Sequence, residues 1–326
     1  MLLGAKNSDN LRCHNKLSFA GAVCELATNS KMLGDLLSDS GDAPFEDSEP
    51  VFVMEIVVEQ DKGSPIGAPQ FRGMHHLVVA SFGIANVFVF DLLRRHVGAR
   101  VSSTLAADRH FWRQKILPIM TGVMGASIGV LPMHAACLAF EGSGLLVAGR
   151  SGAGKSTLSA AMALCGFDYI SDDWTYLSQK RANLSAYGTF APVKLLPDAR
   201  QHFKSLVNEA LGISMNGELA YEVDPKIVFG ATIAHSCEPR WLIFLERFSG
   251  QGSEFTQLHA RETRAYLESS VERMPPQLVE ASTRRAEIID AVSSLPCWSF
   301  RYGGSPQYAA LELRAFVDMQ MREDLA

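Results

Sequence analysis

The sequence predicts an α/β domain preceded by a smaller β-rich one. Three observations predict it. Gly144 to Ala148 is an apolar run of strand length, followed by the glycine-rich stretch Gly149 to Gly154 and then a helical segment from Lys155 to Cys165 that closes on Gly166. Trp241 to Leu245 reads as a second buried strand of the same domain. Before residue 100, β-branched and aromatic residues crowd into short runs with no helical period between them. A boundary between residues 98 and 108 gives two domains, 1–105 and 106–326.

Taken in order, residues 1 to about 50 carry little pattern, and the acidic, Ser- and Pro-containing stretch Asp35 to Glu49 reads as an exposed loop. Val51 to Val58 is the first clear strand, and His76 to Phe82 and Asn86 to Leu92 are two more, separated by Gly83. Gly and Pro between Asp61 and Arg72 mark a loop. Arg109 to Met124 spaces Phe111, Ile116, Ile119 and Val123 as a helix does. Leu131 to Phe140 returns to strand, with Glu141 to Gly144 as a hairpin turn. Asp168 to Ser171 is a short strand, Trp174 to Leu177 continues extended, and Asp198 to Leu211 is helical. Thr263 to Arg273 and Gln277 to Ser294 are helices broken by Pro275-Pro276, followed by a strand from Cys297 to Tyr302 and a closing helix from Gln307 to Arg322.

Composition excludes several classes. The 326 residues are 47% apolar and 20% charged, an ordinary soluble balance. A net charge of −5 leaves no cationic excess for general nucleic-acid binding. The six cysteines, Cys13, Cys24, Cys137, Cys165, Cys237 and Cys297, form no C-x-x-C pair, which argues for a reducing cytoplasm over a disulfide framework or zinc site. Lys6, Asp9, Arg12 and Lys16 leave no apolar core for a signal peptide. Ile116 to Phe140 lacks acidic and strongly basic residues and holds Gly125-x-x-x-Gly129, yet Pro118, Pro132 and His134 interrupt it, so no membrane span is expected.

Gly149-Arg150-Ser151-Gly152-Ala153-Gly154-Lys155-Ser156-Thr157 fits G-x-x-x-x-G-K-[ST], the phosphate-binding P-loop. Its glycines let successive N–H groups point inward as an anion nest. Lys155 adds a positive charge for the outer phosphates, Ser156 offers a hydroxyl to Mg²⁺, and Thr157 lies in the first turn of a helix whose positive end faces the anion.

Phosphoryl chemistry also needs a carboxylate near the cation and a group that activates the acceptor. Asp172-Asp173, seventeen residues past Lys155, is one source; Glu246, ending the apolar run Trp241 to Leu245, is the other. Two adjacent carboxylates at a strand end ionise together only when a cation is near, which favours the Asp pair. One could serve Mg²⁺ while the other takes a proton from an incoming hydroxyl. His134, in the apolar run Leu131 to Ala136, is a third candidate, read either as a core histidine or as a site residue.

His134-Ala-Ala, then Gly-x-Ser-Gly-x-Gly-Lys-Ser, then Ser171-Asp172-Asp173 resembles the C-terminal kinase domain of the HPr serine kinase/phosphorylase family. It is similar also to HPr-kinase-like relatives that modify lasso-peptide precursors, and to the phosphoenolpyruvate carboxykinase fold. The resemblance covers residues 134 to 173. It implies a P-loop kinase fold and an ATP- and Mg²⁺-dependent transfer to the hydroxyl of a serine in a peptide or small protein. It implies that Gly149 to Ser156 hold phosphates, Ser156 and Asp173 bind Mg²⁺, Asp172 acts as base, Lys155 offsets phosphate charge and His134 assists. The glycine-rich signature of the phosphorylase activity is not found after the Asp pair, and the family's arginine cannot be placed among Arg240, Arg247, Arg261 and Arg264. A homo-oligomer stays open. The alternative is a nucleotide sensor that binds without transfer; the Asp pair and His134 favour the kinase.

Overall fold

The computed structural model describes residues 13–38, 49–61, 63, 65–180, 183–189, 191–214, 217–270 and 274–324. The protein is mixed α/β with several sheets. It divides into two compact units, Met1–Leu131 with Glu272–Ala286, and Pro132–Val271 with Glu287–Ala326.

The first unit holds β1 (Cys13–Phe19), β2 (Ala22–Thr28), α1 (Lys31–Ser38), β3 (Phe52–Glu59), β4 (Pro69–Met74), β5 (Leu77–Phe82), β6 (Val87–Asp91) and β7 (His96–Ser102). Its strands form one sheet in the order β1-β2-β3-β7-β6-β5-β4. β2, β3 and β7 run parallel, and the remaining pairs are antiparallel. Then come α2 (Ser103–Ala107), α3 (Arg109–Phe111), a π-helical turn (Trp112–Ile116) and α4 (Leu117–Ser127).

The boundary expected near residue 105 falls inside this unit. The reason is packing: Trp112, Ile116, Leu117, Met120 and Met124 are buried in the same cluster as Phe88 and Phe90 of the sheet. The Trp112 ring meets Phe88 edge-on at 6.1 Å, and its indole N–H donates to the Leu105 carbonyl at 2.9 Å. The apolar stretch after residue 116 is therefore core. Among the described residues no helix is long and apolar enough to cross a membrane.

Three expectations for this unit change. β1, β2 and α1 occupy part of the stretch read as patternless, and residues 39–48 of the expected loop lie outside the described residues. β4 occupies part of the expected loop over 61–72, as an edge strand exposed along its whole length. β7 spans the expected boundary.

The second unit opens with β8 (Leu131–Met133), β9 (Ala135–Phe140) and β10 (Ser143–Ala148), followed by α5 (Lys155–Leu164), β11 (Asp168–Ser171), β12 (Thr175–Lys180) and β13 (Asn183–Tyr187). A small sheet follows, β14 (Val193–Leu195), β15 (Gly212–Ile213) and β16 (Leu219–Val223), then α6 (Pro225–Phe229), β17 (Ser236–Arg247) and β18 (Gly252–Gln257). α7 (Ala260–Ser270), α8 (Val279–Ser293), whose residues 279–286 belong to the first unit, β19 (Cys297–Gly303) and α9 (Pro306–Asp324) complete the order.

The main sheet runs β11-β9-β10-β17-β13-β12-β8, with β19 between β17 and β18. β10, β17 and β19 are parallel, and β9 is antiparallel to both β10 and β11. Buried side chains of β9, β10, α5 and α9 share one core with Phe300 and Tyr302. The β9–β10 turn is two residues long, with Glu141 at φ 49° and Gly142 at φ 81°, the left-handed pair that a tight hairpin of this twist requires. The helix expected over 198–211 is instead two 3₁₀ turns, Pro197–Gln201 and Lys204–Asn208, because Phe203 between them is extended (φ −124°, ψ 105°).

Candidate active site

β10 delivers the chain into the loop at Gly149, and α5 leaves it at Lys155. The loop needs glycine at two places for different reasons. A Cβ on Gly149 would sit 3.0 Å from the Leu245 carbonyl oxygen of β17. Gly154 caps α5 in the left-handed region at φ 91°, where a side chain would be strained. Arg150, Ser151 and Gly152 are exposed, Ala153 and Gly154 half-buried, and Ser156 and Thr157 half-buried in the first turn of α5.

Lys155 is 7% exposed, and its Nζ donates to the Gly149 carbonyl at 3.1 Å, folding the side chain back over its own loop. Burial lowers its pKa from the ordinary lysine value, while the charges of Asp173 and Asp172 act in the opposite direction. The two carboxylates at the end of β11 are thus electrostatic neighbours of the loop's lysine.

The carboxylates have opposite surroundings. Asp172 is 6% exposed. Its Oδ1 accepts from the Tyr169 hydroxyl at 3.0 Å, and it also accepts hydrogen bonds from the Ser156 hydroxyl and the Lys194 backbone N–H. Burial first, and the Asp173 charge second, push its pKa up to about 6 against those three hydrogen bonds. Asp173 is exposed and pairs with His134, whose Nε2 lies 2.9 Å from Asp173 Oδ1. His134 occupies the single-residue break between β8 and β9, half-buried, and its ring lies against Trp174 at 5.5 Å.

The turn that carries the Asp pair is tied to the strand that follows His134. Ser171 and Thr175 flank the pair; their hydroxyls share a 2.7 Å hydrogen bond, and Thr175 Oγ1 donates to the Ala135 carbonyl at 2.8 Å. Motion of the turn relative to β9 would break buried bonds of roughly 1 kcal/mol each or more.

The structure therefore brings together Lys155, Ser156, Asp172, Asp173 and His134. It joins Ser156 to Asp172 through a hydrogen bond and turns Asp173 toward His134. Glu246 is exposed at the end of β17. Arg240 pairs with Glu238, Arg264 with Glu268 and Asp290, and Arg261 is exposed on α7. Tyr169, Trp174 and Thr175 were not singled out by sequence reasoning, and Ser171 entered it only as part of the motif with the Asp pair. The one available signal was a hydroxyl residue on each side of the Asp pair.

The donor set, one hydroxyl and two carboxylates, is the hard-oxygen kind that suits Mg²⁺. Among the described residues no three of His, Cys, Asp and Glu gather as metal ligands. All six cysteines are free thiols, with the sulfurs of Cys137 and Cys237 3.5 Å apart.

No protein-family model matches the chain, and no curated protein sequence matches it. Among solved structures there is a distant likeness to the Hpr(Ser) kinase/phosphatase from Coxiella burnetii, at 13% identity over 60% of this chain and 99% of that one. The TM-score is 0.33, too loose an overlap to transfer a role to any residue.

Proposed function

We propose that this protein is an ATP- and Mg²⁺-dependent kinase that transfers the γ-phosphoryl group to a serine hydroxyl of a peptide or small protein. The observation that carries the reading is the convergence of Lys155 and Ser156 with the Asp172–Asp173 pair and His134. A protein that only senses nucleotide needs the first two residues but not a solvent-facing carboxylate held by a histidine.

The geometry favours exchanging the two roles that the resemblance implies for the carboxylates. Asp172 touches Ser156 and is closed off by Tyr169, which suits the Mg²⁺ side. Asp173 is exposed and oriented by His134, which suits a base that must meet an acceptor arriving from solvent. Mg²⁺ held by Ser156 and Asp172 would offset charge between the β- and γ-phosphates. Backbone N–H groups of the loop cradle the phosphates, and Lys155 swings from the Gly149 carbonyl to the β- and γ-oxygens. The acceptor oxygen forms a bond to the γ-phosphorus as the β,γ-bridging P–O bond breaks. The hydroxyl proton goes to Asp173, and ADP leaves with the bridging oxygen. Positioning and preorganised charge supply most of the acceleration.

The test is mass spectrometry of HPr, and of short peptides encoded beside the gene, after incubation with the protein, Mg²⁺ and ATP. Phosphate on a serine is expected, with transfer falling by about 10²-fold or more in both Lys155→Ala and Asp173→Asn. Asp173→Asn should keep nucleotide affinity, whereas Asp172→Asn should weaken Mg²⁺-dependent nucleotide binding. Tight ATP binding with no transfer to any candidate would favour the sensor.

A further inference from the structure

The loop has a second flank, opposite the carboxylates. In the strand order β11-β9-β10-β17, with β19 beside β17, the Asp pair lies on one side of β10 and the ends of β17 and β19 on the other. Because β10, β17 and β19 are parallel, their carboxyl ends share one edge of the sheet, where ligands of open α/β sheets bind. Arg247 ends β17 and Tyr302 lies at the end of β19, paired in register with it. Both reach the loop: a Cβ built on Gly154 would lie 3.2 Å from the Tyr302 hydroxyl and 3.4 Å from Arg247 Cδ.

Arg247 differs from the other arginines considered for the site. Arg240 and Arg264 are paired with carboxylates. Arg247 is exposed and has no carboxylate partner among the described residues; its guanidinium instead rests over the buried Tyr302 ring, 5.6 Å from the centroid. An aromatic face orients a guanidinium without neutralising it, so the full charge stays available to an anion. Burial and the Arg247 charge lower the pKa of the neighbouring His202, against the opposing charge of Asp198.

We infer that Arg247, held on Tyr302, is a binding residue for the α- and β-phosphates of the donor nucleotide. The inference rests on the kinase reading and adds the side on which the nucleotide leaves the loop. If transfer occurs beside Asp173, the γ-phosphate points toward β11, and the remaining phosphates extend toward β17. A guanidinium there meets them with two parallel N–H donors.

Calorimetric titration of ADP, pyrophosphate and adenosine into the full chain tests this, using wild type, Arg247→Met, Arg247→Lys and Lys155→Ala. Methionine keeps an apolar stem on Tyr302 while removing the charge. Arg247→Met should weaken ADP and pyrophosphate about tenfold to a hundredfold, with part of the loss recovered in Arg247→Lys. If Lys155→Ala weakens ADP but Arg247→Met binds ADP and pyrophosphate as wild type does, the inference falls and the kinase reading stands. If Arg247→Met weakens adenosine and ADP equally and leaves pyrophosphate unchanged, Arg247 recognises the base and the inference again falls. If wild type binds neither ADP nor pyrophosphate, both fall together.

Discussion

The Tyr169 hydroxyl donates to Asp172 Oδ1 across 3.0 Å, and both side chains are buried. The bond is one of three to that carboxylate, yet burial and the neighbouring Asp173 still raise its pKa to about 6. Asp172 is thus a charge the folded protein holds at a cost unless a cation is present.

That cost has a pH signature. An aspartate in the unfolded chain titrates near 3.9, whereas Asp172 in the folded protein titrates at about 6. Between those values the folded state binds more protons, so its stability falls as pH rises from about 4 to about 6 and levels off above. The loss is on the order of 2–3 kcal/mol. Asp172→Asn should melt at a higher temperature than wild type at pH 7.5, without Mg²⁺ or nucleotide, and show no advantage at pH 4. An equal gain at both pH values would remove the carboxylate charge as the cause.

Tyr169→Phe deletes the donor and leaves the carboxylate short of a partner in a buried site. It should destabilise the protein by about 1–3 kcal/mol at neutral pH. In the Asp172→Asn background the same change should cost less, a coupling that a double-mutant cycle in urea would read. Equal costs in the two backgrounds would mean that Tyr169 acts through packing alone.

Thr175→Val keeps the shape of the side chain and removes its hydroxyl, freeing the Ala135 carbonyl and Ser171 from their shared partner. A loss of about 1–2 kcal/mol is expected. Because the bonds fix the Asp pair against the strand after His134, transfer should fall further than nucleotide affinity. A loss confined to nucleotide affinity would contradict this.

Gly154→Ala places a side chain at φ 91°, facing the Tyr302 hydroxyl at 3.2 Å. The expected cost is about 1–2 kcal/mol, with weaker ADP binding as the first turn of α5 shifts. Unchanged melting and unchanged ADP affinity would show that the loop relaxes around the new methyl group.

Legibility in the sequence followed locality. The run from β9 to β11 was readable because a strand, a two-residue turn, a glycine loop and a capped helix each leave a short-range mark, and His134 and the Asp pair sit immediately before and after that run. β4 left no mark because it is exposed along its whole length and its side chains need not alternate. β1 mixes His, Asn and Lys with its apolar residues, and Gly98 and Arg100 blur β7. In the 198–211 stretch, buried Ala199, Phe203 and Leu206 recur at a spacing that fits α and 3₁₀ turns alike, so periodicity could not distinguish them. The different surroundings of Asp172 and Asp173 were illegible for a similar reason. Adjacent identical residues carry no information about which one faces Tyr169 and which faces His134.

His134, the loop and the Asp pair all lie between residues 134 and 173, joined by short connections, whereas Arg247 and Tyr302 arrive from far along the chain. Short connections lose little entropy on closing, so the flank that carries His134 and the Asp pair can take shape around the β9–β10 hairpin soon after it is synthesised. The flank of Arg247 and Tyr302 must wait for β17 and β19. A chain cut short before residue 247 would thus retain every carboxylate of the site and lack the arginine and tyrosine on the other side of the loop, so one flank of the loop is a local product of the sequence and the other a product of the finished fold.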